Sequence, residues 1–349
     1  MTLNRNPVVS LSCVITFCIS FHLSVRADDS AARPERSTIE RGLKLLQQDA
    51  VKWRQDKTCS TCHHGTMTMW VQLEAKSRGF AVKSDELQAN IRWAKERIME
   101  RADLPRDTGP GWSMVNTPGI YLAIMAHAVP EQDAISADDL KRVSGHLLRH
   151  QEENGAWMWS SAPPKNIPPP FFESDEVATR LAYLALALQA ASAADDTEAI
   201  RASLTRADAW LREQRPTDTT QAAVLRLVMK QQAGVPVDEV KQGIDGLLSA
   251  QNPEGGWAQL KDGSSDAYAT GQVLYSLSLA GVPSESNGVK KAIAFLVRTQ
   301  RDDGSWPMTK RTHPGETPTQ NVVPITYFGS AWATLGLLRF MSDESVRKP

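Results

Sequence analysis

The chain has 349 residues, with 39 basic and 40 acidic side chains and four cysteines. A balance this even, with no basic stripe, excludes the electrostatic footprint of a nucleic-acid binder. Four cysteines in so long a chain exclude a disulfide scaffold, and no segment beyond the first 27 residues is apolar over the roughly 20 positions that a membrane helix needs.

Residues 1–27 read as a secretory signal. Arg5 stands in a short basic region, an apolar run follows from Val8 to Leu23, and Val25-Arg26-Ala27 has small or aliphatic residues where a signal peptidase inspects the chain. An uncleaved N-terminal anchor helix is the alternative. Cleavage removes Arg5 and Arg26, so 39 basic residues fall to 37 against 40 acidic ones, a mature net charge of −3. The expectation is export to the periplasm or the extracellular space, with no stable membrane span after cleavage. Residues 28–36 are then a linker, 37–341 one helical domain and 342–349 a tail.

Within that domain turn punctuation recurs as Ala126-His127-Ala128-Val129-Pro130, Ala233-Gly234-Val235-Pro236 and Ala280-Gly281-Val282-Pro283, with a weaker echo at Arg78-Gly79-Phe80-Ala81-Val82. Glycine past a helix end followed by proline is a stop signal. Ser84, Ser136 and Asp195 are plausible caps for the helices that follow; Asp195 has Glu198 three residues on, and Ser37 has Glu40 in the same relation. Between these marks the spacing predicts charged, amphipathic helices near 37–48, 84–100, 136–150, 195–213, 237–250 and 286–299. Each is followed by a nearly uncharged helix, near 67–79, 117–128, 175–191, 218–233, 266–280 and 325–341. Amphipathic helices outside and apolar helices inside make an all-α, (α/α)6 barrel. An open superhelix of the same pairs would leave a large apolar patch bare.

The first handover between an outer and an inner helix carries Cys59-Ser60-Thr61-Cys62-His63-His64. Cys-x-x-Cys-His is the attachment signature of haem c, with Cys59 and Cys62 as thioethers and His63 as iron ligand. A redox dithiol, a partial zinc site assisted by His64 or an idle disulfide are the other readings. His64 follows His63 directly and cannot reach the opposite face of the same ring, so Met114, Met308 and His313 are the candidates for the distal position, beside an open or water-bound iron. The haem is expected on the barrel rim.

Acids gather at the predicted starts of inner helices: Asp175 and Glu176, then Asp218, then Asp266. Each suits a helix N-terminus as a cap, and together they could form an acidic cluster facing the barrel mouth.

Three other handovers share the pattern Gln-x-x-x-Gly-x-Trp: Gln151 to Trp157, Gln251 to Trp257 and Gln300 to Trp306. A glutamine amide can bond two orphan carbonyls at a helix end, glycine permits a tight turn and tryptophan covers the joint, so these are read as staples. With Ser265-Asp266-Ala267-Tyr268-Ala269-Thr270-Gly271-Gln272, they resemble the Gln-Trp repeats of squalene-hopene cyclases and of the related protein prenyltransferase β subunits. The resemblance runs over most of residues 37–341 and implies an α/α toroid. Cyclases of that family have two barrels in a chain about twice as long and protonate an alkene with Asp-x-Asp-Asp at the start of an inner helix. Glu173-Ser174-Asp175-Glu176 resembles that location and departs from the motif at Ser174 and Glu176. The prenyltransferases hold zinc through an aspartate, a cysteine and a histidine, for which the mature chain has no cysteine outside the haem motif. Three functions follow as expectations. One is an exported toroid with a rim haem c that binds a hydrophobic or polyprenyl-like molecule and meets a redox partner protein. The second is a class II terpenoid cyclase using Asp175 or Glu176 as general acid, and the third a binding scaffold without catalysis.

Overall fold

Glycine stops and polar starts divide the chain much as their spacing predicts. The structure is a computed structural model that describes residues 34–57, 62–103, 112–129, 134–158, 173–192, 197–308, 311 and 323–341, with backbone alone at 62, 101, 112–116, 192 and 197. The expected signal and tail, Cys59, Asp195 and His313 lie outside these residues, as do the side chains of Cys62 and Met114.

The described residues form twelve α-helices: α1 (Arg36–Asp56), α2 (Thr68–Ser77), α3 (Ser84–Ala102), α4 (Trp112–Ala128), α5 (Ala137–His150), α6 (Asp175–Ser192), α7 (Thr197–Glu213), α8 (Thr220–Gln232), α9 (Val237–Ser249), α10 (Ala267–Leu279), α11 (Asn287–Thr299) and α12 (Val323–Arg339). No strand occurs among them; two isolated bridges, Thr219 with Leu260 and Trp257 with Asp266, pin the turns into α8 and α10. Helices α4, α6, α8, α10 and α12 pack side by side in chain order, α4 meets the turn Cys62–Met67 that leads into α2, and α12 returns to α2 and to α1, so the ring is closed. The inner layer explains its own composition. Every residue from Ala267 to Leu277 of α10 is buried, and so is every residue from Tyr327 to Leu338 of α12, where a charged side chain would have no water. Outer α5 and α11 bury one stripe each, including Val143 and Leu147, and Val289, Ile293 and Leu296.

The caps follow the sequence in part. Ser136 caps α5 in a full capping box with Asp139, and Asp266 caps α10 by accepting the Ala269 N–H at 2.9 Å. Ser37 lies inside α1, which begins at Arg36, where the Arg36–Glu40 ion pair at 2.9 Å uses the glutamate. Asp218 yields the cap of α8 to Thr219, whose hydroxyl accepts the Ala222 N–H.

The three Gln-Gly-Trp joints are built alike. Each glutamine amide donates to the glycine carbonyl of its own turn and to a carbonyl on the next outer helix: Gln151 to Ser203 of α7, Gln251 to Gly288 of α11 and Gln300 to Thr38 of α1, at 2.8–2.9 Å. The tryptophan indole donates to the outer-helix carbonyl ten residues back, Leu147, Leu247 or Leu296, at 2.7–2.8 Å. The tryptophan N–H meets a hydroxyl on the inner partner, Thr179, Thr270 or Ser330, at 3.0 Å. The glycines have φ of +96, +99 and +87°, and a Cβ on any of them would lie 2.3–2.5 Å from a carbonyl of the next outer helix. The glutamine therefore ties one repeat to the next. The indole is the group that satisfies the end of its own helix.

Candidate functional site

The six inner helices α2, α4, α6, α8, α10 and α12 all contribute to the wall of a cavity of about 330 Å³. Ile124 of α4, Leu181, Leu184 and Leu188 of α6, and Val224, Leu225 and Val228 of α8 form its aliphatic wall. Its aromatic side is a cluster of Trp70, Tyr275 and Trp332, with ring centroids 5.4–5.9 Å apart at steep angles, and Tyr121 at 6.3 Å from Trp332. Edge-to-face packing of this kind holds large rings rigidly. Such dimensions and lining sit at the small end of ordinary ligand pockets, roughly 300–1,000 Å³.

At the mouth Arg339 donates to Glu74 at 3.0 Å and to Ser278 at 3.2 Å, and its guanidinium lies 5.2 Å from the Tyr275 ring centroid. Glu74 also pairs with Arg78 at 3.0 Å. Leu279 is 41% exposed there, an apolar entrance. His127, also on the lining, is kept below its ordinary pKa by burial, against a hydrogen bond to Gln189, so it is a neutral imidazole at neutral pH. Behind the surface, five buried atoms of lining residues have no hydrogen-bond partner among the described residues: Trp70 Nε1, Trp332 Nε1, Gln221 Oε1, Gln272 Oε1 and His127 Nε2. One helical turn below Gln272, Tyr268 and Phe328 pack with ring centroids 5.1 Å apart.

The four acids singled out in the sequence do not converge on this cavity. Glu176 is buried in an ion-pair cluster, with Arg180 and Arg226 each at 2.8 Å and the Thr217 N–H at 2.5 Å. Burial alone would raise its pKa; the Thr217 N–H and the two guanidiniums override it and hold the carboxyl below the ordinary range. An ionised, paired carboxylate is a poor alkene-protonating acid. Asp266 is spent as a cap and accepts from Gln259 as well, which links it through Arg311 to Glu173. Asp218 is exposed and lines an outer groove with Lys230, Gly246 and Lys261. Asp175 opens α6, half-buried.

At the first handover the chain enters α2 through a π-helical turn, Cys62–Met67, a distortion that recurs at functional sites. The turn carries His63 and His64 into the inner layer, where His63 is 6% exposed and His64 fully buried. His64 stacks between Trp53 of α1 (4.2 Å) and Tyr327 of α12 (3.7 Å), and its Nε2 meets Asp49 Oδ2 at 3.0 Å. His63 Nδ1 is hydrogen-bonded to His64 Nδ1. Burial, with the neighbouring His64, pushes His63 well below its usual pKa; burial also lowers His64, against the pull of Asp49. With both rings neutral, His64 Nε2–H donates to Asp49 and His64 Nδ1 accepts from His63 Nδ1–H. That tautomer assignment places the lone pair of His63 on Nε2. Met308 packs against Gly329 of α12. Sequence reasoning missed Trp53, Asp49 and Tyr327 as neighbours of the motif and every residue of the aromatic cluster, since nothing local marks contacts between distant helices.

Residues 189–347 match the Squalene-hopene cyclase C-terminal domain family. The squalene–hopene cyclase of Zymomonas mobilis is 30% identical over 124 residues, which make up 34% of this chain and 19% of that enzyme. The corresponding enzyme of Bradyrhizobium diazoefficiens is 29% identical over 121 residues, 35% of this chain and 18% of that one. The match thus spans under a fifth of the length of these curated relatives. Among solved structures, the type II terpene cyclase MstE from Scytonema superposes over 86% of this chain and 98% of its own, with a TM-score of 0.53 at 16% identity. The unsaturated glucuronyl hydrolase of Bacillus sp. GL1 superposes over 86% and 95%, with a TM-score of 0.58 at 13% identity. At such identity the likeness shows the α/α toroid alone, a scaffold shared by terpene and glycosaminoglycan chemistry. The sequence match and the cyclase neighbours together support the squalene-cyclase repeat superfamily. The family match begins at residue 189, beyond Glu173–Glu176.

Proposed function

We propose that the protein encloses an isoprenoid-like hydrophobic molecule at the centre of its toroid, as a relative of the class II terpene cyclases. One observation carries the reading: the inner ring surrounds a 330 Å³ cavity walled by Leu181, Leu184, Leu188 and the Trp70–Tyr275–Trp332 cluster. A toroid serving only as a scaffold would fill that space with its own side chains. The aliphatic half supplies the burial that drives apolar binding, and the rigid rings limit the shapes that fit.

Ring closure of the class II kind begins with a proton delivered to an alkene, which needs a strong, correctly placed acid. Glu176 is held ionised by its arginines, Asp266 caps α10 and Asp218 faces an outer groove. The sequence offers Asp175 or Glu176 for that step; Asp175 opens α6 outside the cavity lining, and the cyclase level of the reading stands or falls with a variant at that position. Incubation with all-trans-farnesol and geranylgeraniol tests both levels. Calorimetric binding of either prenol is expected for the wild type and for Asp175→Asn, with any cyclised product lost in the variant. Unchanged turnover in Asp175→Asn removes the cyclase assignment, and no binding of either prenol overturns the whole reading.

A second reading rests on the relay from Asp49 through His64 to His63. Metal-ligating histidines are commonly oriented by such a partner on the other ring nitrogen, and the relay leaves the lone pair of His63 on Nε2. These residues fit a haem c held by Cys59 and Cys62 with His63 as axial ligand; such a group would supply one-electron chemistry in an exported protein that meets a redox partner. His63 would ligate, His64 would set its tautomer, Asp49 would hold His64, and Met114, Met308 and His313 remain candidates for the distal position. Protein expressed with its leader in a haem-maturing periplasm is expected to show a Soret band that survives denaturation. Its absence discards the haem and leaves the isoprenoid reading untouched.

A further inference from the structure

Among the described residues Arg339 is the only charged side chain on the cavity lining, and no carboxylate lines the cavity beside it. It stands where the cavity opens. Gln232 and Leu279, the last residues of α8 and α10, are exposed lining residues, and Arg339 is the last residue of α12. A cation at a helix C-terminus suits the helix dipole, and part of this one is used structurally. Its Nη1 donates to Glu74 at 3.0 Å, its Nε donates to the Ser278 hydroxyl at 3.2 Å, and its guanidinium lies 5.2 Å from the Tyr275 ring centroid. Two features go beyond that role. Glu74 is 2% exposed and shared, because Arg78 donates to the same Oε1 through Nε at 3.1 Å and Nη2 at 3.0 Å. Two guanidiniums against one carboxylate leave a net positive charge at the opening. The Arg339 side chain is also 20% exposed, and its Nη2 donates to no group among the described residues. An accessible guanidinium edge at the entrance of an apolar cavity suits a carboxylate, which accepts charge-assisted N–H bonds. A diphosphate would bring several negative charges beside Glu74, with no second cation on the described lining to meet them.

We infer that the ligand is an isoprenoid carboxylic acid, bound with its carboxylate on Arg339 at the opening and its hydrocarbon chain inward against Leu184, Leu188 and Tyr275. This rests on the reading of the cavity as an isoprenoid site and names the head group. The chain is buried, which drives binding, while the carboxylate stays within reach of water, where a charged pair costs least.

Calorimetric titration of the full-length protein at pH 8 with all-trans-farnesoic acid and with its methyl ester, which keeps the skeleton and loses the charge, tests it. The acid is expected to bind at least about tenfold more tightly, in line with a hydrogen bond to a charged group. Arg339→Gln should bring the two compounds within about twofold of each other, chiefly by weakening the acid, and Arg339→Lys, which keeps the charge, should restore part of the preference. Leu279→Asp serves should Arg339→Gln fold poorly: at an exposed position of the opening it sets a like charge against the carboxylate, and should cut the ratio of the two affinities about fivefold. Equal binding of acid and ester by the wild type overturns the inference and leaves the isoprenoid reading standing. So does a preference for the acid that survives both Arg339→Gln and Leu279→Asp. Farnesyl diphosphate bound more tightly than the acid overturns the choice of a carboxylate. If neither acid nor ester binds, the isoprenoid reading itself has failed and the inference with it.

Discussion

Where α11 and α12 meet α1 the ring is closed by a complete joint; where α7 and α8 meet α9 it has none. Gln300 bonds Thr38 across the seam, Arg41 donates back to Gln300 Oε1 at 3.0 Å, and Trp306 is fully buried between the layers. The turn after α7 reads Gln214-Arg215-Pro216-Thr217, without the glycine or the tryptophan, and the Gln214 amide returns to the Trp210 carbonyl of its own helix. The packing differs accordingly: α11 buries Val289, Ala292, Ile293, Phe295 and Leu296, whereas α9 buries Leu247 alone and leaves Val237 81% exposed. A joint is thus the element that draws the next outer helix onto the ring. The inner ring is continuous in both sectors, so closure belongs to the inner layer and tightness to the joints.

The largest effect should come from removing a joint's tryptophan. Trp306→Ala deletes a buried indole and its bond to Leu296, and is expected to cost about 3–5 kcal/mol in denaturant unfolding. Loss below about 1 kcal/mol would mean that the seam is held by α12 alone. A paired substitution separates the glycine's two roles. Gly304→Ala meets both a positive φ and the Arg41 carbonyl 2.3 Å from the new Cβ, and should cost more than about 2 kcal/mol. Gly234→Ala meets a φ of +61° with nothing within 4 Å, so only the backbone term of about 1 kcal/mol is expected. Equal costs would show that close approach to the next helix is not what the joint glycine is for.

This division explains what the chain alone could disclose. The twelve helices were legible because each is punctuated locally, by Gly234 and Gly281 past helix ends or by Ser136 with Asp139 at a start. The joints were legible as staples for the same reason, although their reach to the next outer helix was not, since Ser203, Gly288 and Thr38 carry no mark of it. The acids illustrate the limit. Asp266 looks like a cap and is one, while Glu176 looks the same in the sequence and is bound by Arg226 from the neighbouring helix. The cavity wall draws single residues from distant helices, Trp70 from α2, Gln221 from α8, Gln272 from α10 and Trp332 from α12, and no local pattern distinguishes them from packing.

Another seam without a Gln-Gly-Trp joint, between α3 and α5, is held by groups that titrate. Lys95 pairs with Asp139 at 3.0 Å, Arg149 donates to the Ala102 carbonyl at 2.7 Å, and His146 Nδ1 bonds the same carbonyl at 3.1 Å. Burial, with nearby His150, lowers His146 to about 3. The unfolded chain takes up this proton near pH 6.5 and the folded chain only near 3, so its contribution is intact above 6.5 and is lost steadily as pH falls toward 3. His63 and His64, also lowered by burial, act in the same direction. Stability should therefore decline on acidification from pH 7 to 5. His146→Gln, which retains a donor for Ala102 and cannot ionise, is expected to flatten that decline, whereas Trp306→Ala should lower the whole curve without changing its slope. An unaltered slope in His146→Gln would remove this seam from the acid response.

The smallest effect tests the loose sector itself. Val237→Ser on α9 should change stability by no more than about 0.5 kcal/mol, because the side chain is already in water. Ile293→Ala, at a fully buried position of α11, should cost about 2–5 kcal/mol. Amide exchange extends the contrast to the backbone. Helix α9, with one buried side chain and no joint receiving it from α7, should exchange through local opening, at rates that barely respond to Ile293→Ala. Helix α11 is received by Gln251 and delivers Gln300, so its amides should exchange only with global unfolding and accelerate with that variant. Should α9 prove as protected as α11, the inner ring must anchor both outer helices through α8 and α10, and the joints would set only the register between repeats.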